Sequence, residues 1–118
     1  MLAFPSNQFG AQATGCNECE CAFFAQKLQR PYGSLPCFDK TDVNGPGAPE
    51  AYRILKSSAT GHDKGYDIMW NYEKFIVDES GAPVLRLASN ADPMDAEPVI
   101  RGLLGLGPKE IPTSKSKR

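Results

Sequence analysis

The chain has no long apolar run, and nothing in it approaches the roughly 20 residues that span a bilayer, so no transmembrane segment is expected. It also has little excess of charge. Thirteen Lys+Arg stand against 14 Asp+Glu, net -1, which argues against a sequence-independent nucleic-acid binder, because that needs a basic excess to neutralise phosphates. The start, Met1-Leu2-Ala3-Phe4-Pro5-Ser6-Asn7, carries no basic segment and no long apolar stretch, so it does not read as a secretory signal. The single histidine, His62, lies between Gly61 and Asp63 and reads as a solvated loop residue. At 118 residues and 41% hydrophobic, the chain fits one domain able to bury a core without disulfide staples.

Four cysteines stand at 16, 19, 21 and 37. Three fall within six residues, which argues against a disulfide framework among them. Without a signal peptide the expectation is a cytoplasmic, reducing compartment and free thiols. Cys19 and Cys21 fall where a helix should begin, and a helix N-terminus lowers a thiol pKa. They are therefore the candidate redox thiols. A tetrahedral zinc site built on the C-x2-C-x-C run is an alternative, but there is no second ligand pair, and the expected metal is none.

The pattern predicts strands at 2–4, 37–43, 67–78 and 83–88. It predicts helices at 17–29, 48–57 and 94–106. Asn17 reads as an N-cap, with Glu20 reaching back to its amide. Cys21, Phe24, Ala25 and Leu28 form one apolar stripe, and Arg30-Pro31 ends that helix. Asn44-Gly45-Pro46-Gly47 is a turn, and Glu79-Ser80-Gly81 closes a β-hairpin. Pro98 must fall near the first turn of the last helix or kink it, and Gly107-Pro108 stops that helix. Residues 1–108 form the domain, and 109–118 a polar, basic tail expected to be disordered. Strands interleaved with helices indicate an α/β or α+β sandwich.

Several ordered blocks carry a resemblance. Leu2-Ala3-Phe4-Pro5-Ser6-Asn7-Gln8-Phe9-Gly10 is followed by Phe38-Asp39-Lys40-Thr41-Asp42-Val43-Asn44-Gly45-Pro46. Next comes Trp70-Asn71-Tyr72-Glu73-Lys74-Phe75-Ile76-Val77-Asp78, and then Asp92-Pro93 before a Leu-rich helix. Together they resemble the glutathione peroxidase family, whose first block here normally reads L-A-F-P-C-N-Q-F-G. The resemblance implies an α/β, thioredoxin-like three-layer sandwich, with a central mixed sheet flanked by helices. It implies reduction of hydrogen peroxide or of organic and lipid hydroperoxides by glutathione or thioredoxin, in the response to oxidative stress, with no bound cofactor. Carried over by motif, the catalytic residues are Gln8, Trp70 and Asn71. Their amide and indole N–H groups are neutral donors suited to an ionised nucleophile and a departing peroxide oxygen.

In the family the peroxidatic Cys or selenocysteine sits on an N-A-S-x-C-G-like loop upstream of the first block, and no such motif occurs here. The resemblance therefore implies a chain without the N-terminal strand–helix unit, on the order of 30 residues. Such a chain should expose apolar surface and turn over little peroxide by itself. Ser6 replaces the Cys usual after F-P. Ala25 falls where thioredoxin-dependent members carry a resolving cysteine. The short Ser57–Asp67 loop resembles the monomeric, phospholipid-hydroperoxide type, so a monomer is expected. The competing readings are a non-catalytic thioredoxin-like scaffold and a metal- or redox-sensing module.

Overall fold

The computed structural model describes residues 1–108, so the expected basic tail at 109–118 lies outside the described residues. Helix α1 spans Asn17–Lys27 and α2 spans Glu50–Ser58. Strands β1 (Lys74–Val77) and β2 (Pro83–Leu87) follow, then a 3-10 turn at Pro93–Ala96 that runs into α3 (Glu97–Leu103).

The helix ends have local causes. Cys16, not Asn17, caps α1: its Sγ accepts from the Cys19 N–H at 3.0 Å. Asn17 instead turns its Oδ1 to the Lys40 N–H. Glu20 does reach back, but to the Gly15 N–H at 2.7 Å. At the other end Gln29 adopts φ 54°, while the Gln29 and Arg30 N–H groups return to the carbonyls of Gln26 and Ala25. This is the left-handed closure usually given to glycine, and it stops α1 two residues before the predicted end. Helix α3 closes the same way on Gly105, φ 71°, with Leu106 N–H bonded to Arg101 O. It therefore ends at Leu103, ahead of Gly107-Pro108. Pro98 occupies its first turn as expected.

The hairpin forms as predicted. Lys74 pairs with Leu87, Phe75 with Arg86 and Ile76 with Leu85, antiparallel, with an irregularity at Val77. The longer strands do not form. Residues 67–73 are loop, Tyr72 takes φ 65°, and β1 starts only at Lys74. The predicted strand at 37–43 is reduced to one parallel bridge, Ala3 with Cys37. Bonds from Ala3 N–H to Pro36 O, Phe38 N–H to Ala3 O and Thr41 N–H to Pro5 O hold the two segments side by side. A second parallel bridge sets Gly61 beside Arg86. The ordered sheet among the described residues is thus two-stranded, in place of four strands in one sheet.

Side chains do the work of the absent strands. Arg86, wholly buried, donates to the carbonyls of Asp63, Tyr66 and Asp67 at 2.8–3.1 Å and to Glu73 Oε2 at 2.8 Å. Its guanidinium also lies 5.3 Å from the Phe75 ring centre. Backbone groups that a ladder would have paired are satisfied this way, as burial requires. The core is small: Phe9, Val43 and Ile68, with Tyr52 and Phe75 packed against it. Large apolar side chains at Leu2, Phe23, Phe38 and Ile54 are exposed.

The cysteines depart most from the sequence reading. Cys16 is bonded to Cys19 and Cys21 to Cys37, and no cysteine is free among the described residues. The spacing argues against a disulfide framework among Cys16, Cys19 and Cys21, and the Cys16–Cys19 bond corrects that expectation. The Cα separations of the two pairs, 4.9 and 5.8 Å, lie within the range a disulfide spans. One helical turn brings 16 and 19 together, and the 36–41 segment brings 37 against α1. Cys19 and Cys21 are therefore half-cystines rather than free thiols.

Candidate functional site

The site expected around Gln8, Trp70 and Asn71 can be followed outward from the turn at residues 7–12. Asn7 Oδ1 accepts from the Ala13 N–H at 2.9 Å, bridging the turn's two ends. Inside it, Gly10 and Ala11 both adopt positive φ, 68° and 51°. A Cβ on Gly10 would stand 3.2 Å from Trp70 Cη2, so glycine answers both the backbone and the approach of the indole.

Trp70 and Asn71 meet this turn. The Trp70 ring lies edge-to-face with buried Phe9, centroids 6.2 Å apart, and remains 48% exposed. Half of the indole is therefore available to a ligand or to another segment. Asn71 Nδ2 donates to Gln12 Oε1 at 2.8 Å. These two contacts join positions 9–12 to 70–71 across about sixty residues of sequence.

The Gln8 side chain points elsewhere. Its Oε1 accepts from the N–H groups of Val43 (2.8 Å) and Asn44 (3.0 Å), and its Nε2 donates to Asn44 O at 3.0 Å. One Nε2 hydrogen stays uncommitted, since the amide carries two. Asn44 passes the connection on, with Nδ2 to Ile68 O at 2.7 Å and Oδ1 accepting the Ile68 N–H at 2.9 Å. Lys56 Nζ seals the same corner on Val43 O and Asn44 Oδ1. Gln8 thus reaches the 68–71 segment through Asn44, while Trp70 and Asn71 reach Gln8's own turn directly.

Sequence reasoning missed Gln12 and Asn44 as members of this constellation. Asn44 was visible as a turn residue and as part of the second resemblance block, but not as a partner of Gln8. Gln12 carries no local signal, because its partner is fixed by the tertiary fold. The buried pair Arg86 with Glu73 was missed as well, since a lone Arg in a short strand reads as a surface position. His62, expected to be solvated, is half-buried, with Nε2 3.0 Å from Asp63 Oδ2 and 3.7 Å from Glu73 Oε1. Burial pushes the Tyr52 phenol up to about 12. Among the described residues no cluster of His, Cys, Asp and Glu is placed to hold a metal ion, and no helix is long and apolar enough to cross a membrane.

The solved apo form of Trgpx superposes on this chain with a TM-score of 0.65 and 28% identity, covering 88% of this chain and 56% of that one. The architecture is α/β and thioredoxin-like. "Glutathione peroxidase 1" of Helianthus annuus is 43% identical over 90% of this chain and 61% of its own length. "Probable phospholipid hydroperoxide glutathione peroxidase 6, mitochondrial" of Arabidopsis thaliana is 43% identical over 90% of this chain and 44% of its own. A "Probable phospholipid hydroperoxide glutathione peroxidase" of Citrus sinensis is 44% identical over 88% and 60%. The chain belongs to the glutathione peroxidase family. No family model matches it, and it spans about half the length of the curated relatives named here.

Proposed function

We propose that this chain is part of a thiol peroxidase that reduces hydrogen peroxide or organic and lipid hydroperoxides, with glutathione or thioredoxin as the electron donor. The nucleophile on this reading stands outside these 118 residues, because none of the four cysteines is in an N-A-S-x-C-G context and all four are paired. A thiolate or selenolate there would attack one peroxide oxygen, become a sulfenic or selenenic acid, and release the other oxygen as water or alcohol. The Trp70 indole N–H, the Asn71 amide and the remaining Gln8 N–H are the donors assigned to that anion and to the leaving oxygen.

The observation that supports this reading is the junction of the 8–12 turn with 70–71 through the Phe9–Trp70 and Gln12–Asn71 contacts. It brings the turn that carries Gln8 against the segment that carries Trp70 and Asn71. Lipid hydroperoxides are favoured as substrate by the short 57–67 loop, as is a monomer. The test couples hydroperoxide loss to glutathione or thioredoxin oxidation. The 118-residue chain should show negligible turnover, and a chain extended upstream with an N-A-S-x-C-G segment should show it. Comparable turnover by both would refute the assignment. One observation favours a second reading, a non-catalytic thioredoxin-like scaffold: most of the Gln8 amide is spent on the Val43–Asn44 backbone. Persistent inactivity of the extended chain would select it.

A further inference from the structure

The two disulfides occupy different mechanical positions. Cys21 and Cys37 are half-buried and tie α1 to the segment that pairs with Ala3, across 16 positions of sequence. Cys16 and Cys19 are both exposed and lie three positions apart at the start of α1. Opening that bond separates nothing from anything else. The start of α1 is secured independently by Glu20 on the Gly15 N–H, by Asn17 on the Lys40 N–H, and by Lys40 Nζ on the Ala13 and Gly15 carbonyls at 2.9 and 2.6 Å.

The Cys16 sulfur is moreover the helix cap, with the Cys19 N–H directed at it from 3.0 Å. A backbone N–H and a helix N-terminus aimed at one sulfur favour its thiolate, and so make it the better leaving group in exchange. Glu18 and Glu20 in the same turn oppose that charge, although the Glu20 carboxylate is already engaged by Gly15.

We propose that Cys16–Cys19 is an exchangeable dithiol–disulfide centre whose redox partner is a dithiol, while Cys21–Cys37 is a fixed structural bond. This centre uses none of Gln8, Trp70 and Asn71, and the inference does not depend on the peroxidase reading. One partner thiolate attacks Cys19 Sγ. The Cys16–Cys19 bond breaks, and its electron pair leaves on Cys16 Sγ beside the Cys19 N–H. The partner's second thiolate then attacks the partner sulfur of the mixed disulfide, releasing Cys19. The partner loses two electrons and becomes a disulfide, and its two thiol protons end on Cys16 and Cys19. Run in reverse, the reduced pair reduces a disulfide by the same steps.

The experiment uses the full 118-residue chain equilibrated with glutathione disulfide and then titrated with dithiothreitol. Acid quenching, alkylation and peptide mass mapping read each cysteine. Cys16 and Cys19 should become labelled while Cys21 and Cys37 stay bonded, over a span of dithiothreitol on the order of tenfold. The oxidised chain should also accelerate dithiothreitol reduction of insulin disulfides. The double variant C16S/C19S should lose that acceleration and keep its melting temperature. Reduction of Cys21–Cys37 at the same or lower dithiothreitol would overturn the proposal. So would failure of Cys16 and Cys19 to pair under glutathione disulfide, unfolding of C16S/C19S, or full acceleration by that variant.

Discussion

The two halves of the molecule solve one problem in opposite ways. Both contain long irregular segments packed beside short regular ones, and both must satisfy backbone groups that no neighbouring strand reaches. Around α1 the chain is held by a covalent tie, Cys21–Cys37, and by Lys40, whose ammonium takes the carbonyls of Ala13 and Gly15. Around the hairpin, one buried guanidinium gathers three carbonyls and a carboxylate. A disulfide acts mainly by limiting the unfolded chain. A buried ion pair acts in the folded state and becomes costly when one partner is lost. The α1 half should therefore depend on redox conditions and the hairpin half should not.

The largest expected effect is at Arg86. Arg86→Met would leave the nearly buried Glu73 carboxylate (2% exposed) without its partner and orphan the carbonyls of Asp63, Tyr66 and Asp67. Removing one member of a buried pair typically costs about 3–5 kcal/mol. Urea denaturation should show that loss in both oxidising and reducing buffer. Adding Glu73→Leu should recover only part of it, because the three carbonyls stay unpaired.

Next comes the covalent tie. C21S/C37S opens a loop with a sequence separation of 16, and a closed loop of that length contributes about 3 kcal/mol through unfolded-state entropy. The variant should be destabilised by that order in oxidising buffer and match the wild type under full reduction. An equal loss in both buffers would place the effect in packing around Phe38 and so erase the contrast between the halves.

How much of this was legible in sequence divides along the same line. The hairpin, the position of Pro98 and the existence of three helices followed from local rules of turn chemistry and apolar spacing. Membership in the family followed from ordered blocks. The four-stranded sheet did not survive, because Val43 and Ile68 are apolar positions that look strand-like but are held by Gln8, Asn44 and Lys56 side chains. Long-range side-chain-to-backbone bonds of that kind leave no periodic trace. Cysteine pairing was misread because proximity in sequence was taken to exclude a useful bond, when one helical turn is all that Cys16–Cys19 requires. At the site, the motif named Gln8, Trp70 and Asn71, but not that Asn44 would hold Gln8 and Gln12 would hold Asn71.

Tyr52 sits where the two halves join. Its ring meets Phe4 from the first half at 5.3 Å and Phe75 from the second at 6.2 Å, both edge-on. Burial raises its phenol to about 12 from an ordinary 10.0. The folded state therefore holds the phenolic proton more tightly than the unfolded chain does. That stabilisation is fully present below pH 10 and is lost as the pH rises toward 12. An alkaline denaturation series should show stability falling across that window, and Tyr52→Phe should flatten the fall while keeping the aromatic contacts.

The smallest effect expected is at the hairpin turn, and it tests the contrast from its exposed side. Asp78 Oδ1 accepts from the Ser80 hydroxyl, the Ser80 N–H and the Ala82 N–H, at 2.6, 2.9 and 2.9 Å. The Ser80 hydroxyl first, then the backbone N–H of Ala82, hold its carboxyl below the ordinary 3.8. The folded state thus favours the charged form, so its contribution is present above that ordinary value and disappears as acid protonates the folded group. The carboxylate lies at the surface, and water competes for each of these bonds, so the turn should be trimmed rather than broken. Asp78→Asn keeps an acceptor oxygen but removes the charge. It should leave the neutral-pH melting temperature nearly unchanged, speed amide exchange at Ser80 and Ala82, and remove a small acid-side slope in stability. If it instead melted the hairpin as Arg86→Met should, the turn rather than the buried guanidinium would be holding β1 against β2.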